Sequence, residues 1–296
     1  MQTEKIRYPI WNNIKFVPYL FILPNMIVFT IFMIIPIFMN LYYSMVRWGG
    51  LGDPVFIGLD NYRHLLFNDP VFWRTVWNTV FFTATSVPII MGFALMLAIL
   101  LNQKIRFRGF FRSAIYMPAI IAAVVVGMTF LQLFNPHMGI VNHLLSYIGV
   151  SPINWANDPR FAMVMVITGM IWGRTGFTMV IYLAALQGIS SEYYEAAKID
   201  GAGAISRFRF ITMPLLSYTH MFVFITSVVH SFRTFDQIFV MTRGGPLNAT
   251  MTMVVYIYET AFARHMFGRA SAAGMILLVF MMVFTIVRFK TQREVY

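Results

Sequence analysis

Apolar residues gather in six long runs: roughly Val17–Leu41, Val76–Leu101, Ser113–Phe134, Phe161–Gln187, Leu215–Met241 and Ala270–Phe289. Shorter stretches between them carry most of the charge. Each run approaches or exceeds the roughly 20 residues a helix needs to cross a hydrocarbon core. Lipid offers the backbone no hydrogen-bond partners, so each run is expected to be helical. Pro24, Pro36, Pro88 and Pro118 fall inside or at the edges of these runs. Packing against neighbouring helices can re-satisfy the freed carbonyls there. The pattern predicts an all-α polytopic membrane protein with six transmembrane helices. The segment GLDNYRHLLFNDPVFW (58–73) is predicted to form a short amphipathic piece on the membrane surface, with Trp73 and Trp77 at the interface. The segment TRGGPLNATMTMVVYIYETAF opens on a Gly-Gly-Pro turn.

Composition agrees with this class. The chain is 59% hydrophobic, 17% aromatic and only 11% charged, and its mean hydropathy is +0.70. The first run follows a basic N-terminus, but it is too long for a signal peptide and lacks a small-x-small cleavage site, so a retained span is expected. There is no cysteine, hence no disulfide framework and no thiolate metal site.

A net charge of +11 raises the question of nucleic acid. Its distribution answers otherwise. All five lysines (Lys5, Lys15, Lys104, Lys198 and Lys290) lie in alternate segments: the N-terminus, the second and fourth loops, and the C-terminus. The second loop, NQKIRFRGFFR, has four bases and no acid, whereas the loop between the first two runs balances three bases with three acids. The positive-inside rule then puts both termini in the cytoplasm. No basic stripe with interleaved aromatics lies in a soluble domain, so no nucleic-acid partner is expected.

The chain carries no motif of an engine. A phosphate-cradling G-x-x-x-x-G-K-[ST] loop is absent, as are H-E-x-x-H and G-x-S-x-G. Gly201-Ala-Gly203-Ala-Ile-Ser206 lacks the third glycine of a dinucleotide fingerprint and follows no strand. His64, His137, His143, His220, His230 and His265 show no ligand-like spacing. No catalytic or metal residue is expected. No internal repeat is evident.

One polar stretch stands out: EYYEAAKIDGAGAISRFRFITMPLL, Glu192–Leu216, with three acids and three bases. Ser190 or Ser191 can cap a helix that carries Glu192 in its first turn. Tyr193, Ala196, Ala197 and Asp200 follow at helical spacing, and Gly201 ends the helix. A second short helix is expected over 204–210, with Arg207 and Arg209, before Pro214 opens the fifth span. Local physics alone slightly favours a capped amphipathic helix lying on lipid.

The stretch resembles a known signature. Glu195-Ala196-Ala197, Gly201, Ile211 and Pro214 match E-A-A, three residues, G, nine residues, I-x-L-P, with Met213 in place of leucine. Six such matches arise by chance on the order of 10⁻⁷ per starting position. This is the loop of the membrane subunits of binding-protein-dependent ABC importers. GLDNYRHLLFNDPVFWRTVWNT (58–79), LAALQGI (183–189), IDGA (199–202) and FDQIFVMTRGGPLNAT (235–250) are similar to the sugar-import branch. The resemblance implies a single transmembrane permease domain over 1–296. Its core would be the spans of 76–289, which carry a coupling loop at 188–214. Glu195, Ala196, Ala197, Asp200, Gly201, Arg207, Ile211 and Pro214 would serve docking to a cytoplasmic ATPase. It also implies a second permease subunit, giving a heterodimer, two ATPase subunits that hold ATP and Mg, and an extracytoplasmic solute-binding protein. The chain itself would hold no cofactor and reside in a bacterial or archaeal cytoplasmic membrane.

Charges inside spans point to function. Arg174 lies mid-span, and Trp172, Phe177, Tyr182, Gln187 and Gln237 offer the aromatic and amide groups that sugars use. The ordinary role of each is nevertheless helix packing or lipid contact. Arg233 and Asp236, at i and i+3, are expected to pair with each other. Two other classes stay open. An ion-gradient transporter usually shows repeats and buried acids, of which only Asp236 is near a span interior. A non-transporting scaffold would leave uptake intact when deleted. Non-sugar cargo also remains compatible with the motifs.

Overall fold

The computed structural model describes residues 17–293. The basic segment holding Lys5 and Lys15 lies outside the described residues, as does its expected cytoplasmic position. Among the described residues, four helices are long and apolar enough to cross a membrane: α1 (Pro18–Ser44), α3 (Pro70–Asn102), α7 (Ala162–Gln187) and α13, whose apolar part is Phe267–Arg288 within Phe267–Arg293. Each overlaps one predicted run, and their ends differ from the predicted ones by a few residues. The largest shift is at α3, which starts at Pro70 because Asp69 caps it. The Asp69 Oδ1 accepts from the Val71 and Phe72 amides at 2.9 and 3.0 Å. The predicted surface piece is therefore split. α2 (Asp60–Phe67) is a separate short helix, while Trp73 and Trp77 belong to the long helix and are exposed on it.

The other two runs are broken. Ser113–Phe134 is not one helix but α4 (Arg108–Ile120) and α5 (Ala123–Leu133), bent by 99°. Pro118 shapes the break. It opens the 3-10 turn Met117–Ile120, after which Ile121 and Ala122 turn extended. Leu215–Met241 is likewise replaced by three pieces: α9 (Ala204–Leu215), α10 (Ser217–Phe232) and α11 (Asp236–Thr242). α9 and α10 meet at 66°. The spans number six if each bent pair is one span.

Two prolines have a common accommodation. A proline ring clashes with the carbonyl four residues earlier. For Pro36 and Pro214 that carbonyl lies inside a π-turn, Thr30–Ile34 and Phe208–Thr212 respectively. The widened turn makes room for the ring without ending the helix.

The core is built on α3 against α7. Phe82, Ile90, Ala94 and Ala98 of α3 and Met165, Val166, Met179 and Tyr182 of α7 are fully buried. α4 lies over α7 at Gly176, where a Cβ would stand 2.0 Å from the Ile115 carbonyl oxygen. α1 sits outside this core and leans on α13, with Asn40 donating to the Ser271 carbonyl at 3.3 Å.

The connections expected outside the cell are tied down by polar bonds. β1 (Val46–Arg47) and β2 (Val55–Phe56) pair antiparallel, and buried Asn61 donates to the Ser44 and Val46 carbonyls. The Gly-Gly-Pro turn leads into α12 (Met253–Ala263). It is bolted to α3: the Asn78 amide donates to the Asn248 and Met251 carbonyls at 2.8 and 3.0 Å. Thr79 Oγ1 accepts from the Met253 amide at 2.9 Å, and the Tyr256 hydroxyl donates to Asp69 Oδ2 at 2.6 Å. α6 (Ile140–Ser146) is held in a similar way through Asn142, which accepts from Trp155 Nε1 at 2.8 Å.

Candidate functional site

The polar stretch Glu192–Leu216 folds as a helix–turn–helix on the surface. α8 (Ser191–Ile199) starts at Ser190, whose hydroxyl accepts from the Glu192 amide at 3.3 Å. Glu192 lies in its first turn and Lys198 in its last, so both charges suit the helix dipole. Its end is a Schellman closure. The Gly201 amide donates to the Lys198 carbonyl at 3.1 Å and the Ala202 amide to the Ala197 carbonyl at 2.8 Å. Gly201 supplies the positive φ of +80° that this closure needs. No atom outside its neighbours lies within 4 Å of a Cβ built there, so backbone conformation alone selects glycine.

The second arm is longer than expected. Helix α9 runs past residue 210 through its π-turn to Leu215. The Tyr194 hydroxyl and Thr212 Oγ1 are 3.0 Å apart and join the two arms. Glu195, Ala196, Asp200, Gly201 and Pro214 are exposed, and Ala197, Arg207 and Ile211 are half-buried. Between them the loop shows a large apolar surface: Ile199 is 87% and Ile205 83% exposed. Exposed apolar side chains flanked by charges are the features of a docking surface.

A second feature is a cavity of about 540 Å³ where α5, α7, α10 and α11 converge. Thr226, His230, Arg233, Thr234, Asp236 and Gln237 provide its polar lining. Gln237 is buried and aimed by a bond from its Nε2 to the Val166 carbonyl at 3.2 Å. A Cβ at Gly169 would stand 2.3 Å from that same nitrogen. The expected Arg233–Asp236 pair does not form. Among the described residues the ion pair is Arg160–Asp158 at 2.8 Å, in the exposed loop before α7. Arg233 and Asp236 sit on either side of the α10–α11 break, which turns both toward the cavity.

Of the residues expected along a path, Gln237 alone lines this cavity. Arg174 lies with its guanidinium 4.3 Å from the Phe177 ring centre, and its Nε is buried without a hydrogen-bond partner. Trp172 is 41% exposed and packs on Phe130. Tyr182 is fully buried in the packing of α3 against α7 and bonds His220 Nδ1 at 2.9 Å. His230 and Thr226 escaped the sequence reading. Their signal was legible: Thr226, Val229, His230 and Arg233 recur at i, i+3, i+4 and i+7, one face of α10.

These features have relatives. Residues 67–293 match the family described as the binding-protein-dependent transport system inner membrane component. The lactose transport system permease protein LacF of Rhizobium radiobacter is 38% identical over 290 residues, covering 93% of this chain and 94% of that one. The trehalose/maltose transport system permease protein MalF of Thermococcus litoralis is 33% identical and covers 98% and 97%. A chain of a crystallised bacterial ABC transporter, involved in import of the acidic polysaccharide alginate, superimposes with a TM-score of 0.83 at 26% identity, covering 96% of this chain and 98% of that chain. With a multi-pass apolar fold, an exposed E-A-A loop and a family match over most of its length, this chain belongs to the inner-membrane components of binding-protein-dependent transport systems.

Proposed function

We propose that this chain is the permease subunit through which an ATP-driven importer moves a sugar or related polyol across a bacterial or archaeal cytoplasmic membrane. The observation that carries the reading is the exposed Glu195–Pro214 loop, capped at Ser190 and closed at Gly201, in a chain of this family. Sugar cargo is supported by relatives named for lactose, arabinooligosaccharides and trehalose/maltose. One relative is named for sn-glycerol-3-phosphate, which keeps polyol derivatives within the class.

As a permease subunit the chain is not itself an enzyme. ATP and Mg belong to two cytoplasmic ATPase subunits. The whole chain acts as one permease domain of six spans with cytoplasmic termini, and 76–289 forms its core. A second permease subunit completes a heterodimer, and a solute-binding protein delivers cargo from outside. A periplasmic binding protein is present in the complex of an alginate transporter of the same fold. Glu195, Ala196, Ala197, Asp200 and Gly201 present the loop's first helix to an ATPase. Arg207, Ile211 and Pro214 brace the arm that leads into the membrane. ATP-driven closure of the two ATPases draws such loops together and rocks the spans between inward and outward access. The cavity at His230, Arg233 and Gln237 takes cargo hydroxyls by hydrogen bonds, with Trp172, Arg174 and Phe177 along the same route.

The test is a gentle-detergent pull-down of the tagged chain beside a Glu195→Lys, Gly201→Asp double variant. Co-purifying ATPase and cargo-stimulated ATP hydrolysis are read. An ATPase that accompanies the wild type and is lost or uncoupled in the variant upholds the reading. Equal behaviour of the two forms overturns it.

A further inference from the structure

The loop between the first two spans is electrically balanced in sequence: Arg47, Arg63 and Arg74 against Asp53, Asp60 and Asp69. Folding undoes the balance locally. Arg47 from β1, Arg63 and His64 from α2, His265 just before α13 and Arg269 in its first turn line one cavity of about 580 Å³. Asp60 is the one acid in its lining. Asp69 is engaged elsewhere, capping α3 and accepting from Tyr256. Among the described residues, none of the three arginines has a carboxylate within ion-pair distance. Three guanidinium groups gathered in a concavity repel one another unless an anion neutralises them. Their planar forks match the oxygens of a phosphate.

The depth of the cavity narrows the ligand. It lies where α1 ends at Ser44 and α13 begins at Phe267, the level at which span ends meet lipid headgroups. The hairpin beside it leaves Leu51 93%, Val55 59% and Phe56 67% exposed. A cationic pocket rimmed by bare apolar side chains is the arrangement that holds a phosphate and its attached chains together. The walls are close-packed: a Cβ at Gly268 would stand 2.0 Å from the Val46 carbonyl oxygen, and Asn61 fixes the same carbonyl.

We propose that Arg47, Arg63 and Arg269 form a binding site for a phosphate oxyanion, occupied by the headgroup of an anionic phospholipid in the leaflet facing away from the ATPases. The inference rests on the membrane placement of the chain and is independent of its cargo.

The test uses the intact complex purified through this chain from nanodiscs containing phosphatidylglycerol, and native mass spectrometry counts the lipid retained. Wild type is expected to hold phosphatidylglycerol roughly tenfold more than Arg47→Gln, Arg63→Gln, Arg269→Gln, the loss that follows from removing charge-assisted bonds. Arg74→Gln, which removes an outer arginine that does not line the cavity, is expected to match wild type. The Arg47→Lys, Arg63→Lys, Arg269→Lys variant, which keeps charge, separates loss of binding from misfolding and is expected to retain part of the lipid. Inorganic phosphate distinguishes the sources. A saturable thermal shift with phosphate in wild type, absent in the glutamine variant and without lipid retention, upholds the oxyanion site with a free ion as its occupant. Equal lipid retention and no phosphate shift overturn the site. Loss of binding-protein docking alone overturns it too, in favour of a protein contact.

Discussion

The amide of Ala202 donates to the carbonyl of Ala197 at 2.8 Å, folding the chain back across Gly201. This bond fixes the direction in which the exposed helix leaves for the membrane arm. It depends on φ = +80° at Gly201, a conformation that costs a side chain about 1 kcal/mol or more. Space is not limiting, since a Cβ there meets nothing within 4 Å. Gly201→Val is therefore expected to lower cargo-stimulated ATP hydrolysis while the thermal unfolding of the spans stays put. Gly201→Asn, which tolerates the left-handed region, is expected to retain more. The rank order of the two in a reconstituted complex is decisive, and equal activity removes the backbone argument.

The two arms of that loop are joined by the Tyr194–Thr212 hydroxyl bond, with Thr212 buried. Tyr194→Phe and Thr212→Val each remove one partner. The expected double-mutant coupling is about 0.5–1.5 kcal/mol. Hydrogen exchange over 191–199 reads it, because α8 loosens when its tether to α9 goes. Additive effects of the two substitutions would mean that the arms are held by packing alone.

The elements visible in the sequence are those governed by local rules. The four unbroken long helices follow from apolar length, and Ser190, Gly201 and the capping at either end of α8 follow from residue chemistry. The breaks were hidden for a physical reason. Hydropathy counts residues without sensing direction, so α4 and α5, set 99° apart, read as one greasy run. Pro118 marked the place but not the angle. The cavity was hidden differently. Arg233 and Asp236 at i and i+3 look like a helical pair, yet the helix ends at Phe232 and restarts at Asp236, so the spacing no longer applies. The burial of Tyr182 and its bond to His220 are tertiary facts that residue spacing does not carry.

The polar cavity should separate transport from assembly. His230→Ala, Arg233→Gln and Gln237→Ala are expected to raise the KM for uptake about 5- to 100-fold each, the span of one to two lost polar contacts. Co-purification of the ATPase should not change, because none of the three lies in the loop. Tyr182→Phe is the contrast: it removes a core hydroxyl and is expected to lower thermal stability with uptake KM unmoved. Uptake measured in proteoliposomes at saturating binding protein checks the set, and wild-type KM for all three cavity variants would exclude the cavity from the path.

One side chain ties the segment after the Gly-Gly-Pro turn to α3 at two points. The Asn78 amide satisfies the carbonyls of both Asn248 and Met251, and it does so from the buried face of α3. Asn78→Ala leaves two carbonyls short of a donor and should cost about 1–3 kcal/mol. Asn78→Asp should cost more despite its near-identical shape. A carboxylate has no N–H to give, so it sets acceptor against acceptor in a buried place. Thr79→Val probes the neighbouring bond in the opposite sense, taking an acceptor from the Met253 amide. Thermal unfolding of the detergent-purified complex is expected to rank wild type above the alanine variant, and the alanine variant above the aspartate one. If Asn78→Asp were as stable as wild type, the polarity of those bonds would be wrong, and the turn would owe its position to the packing of Met251 and Met253 instead.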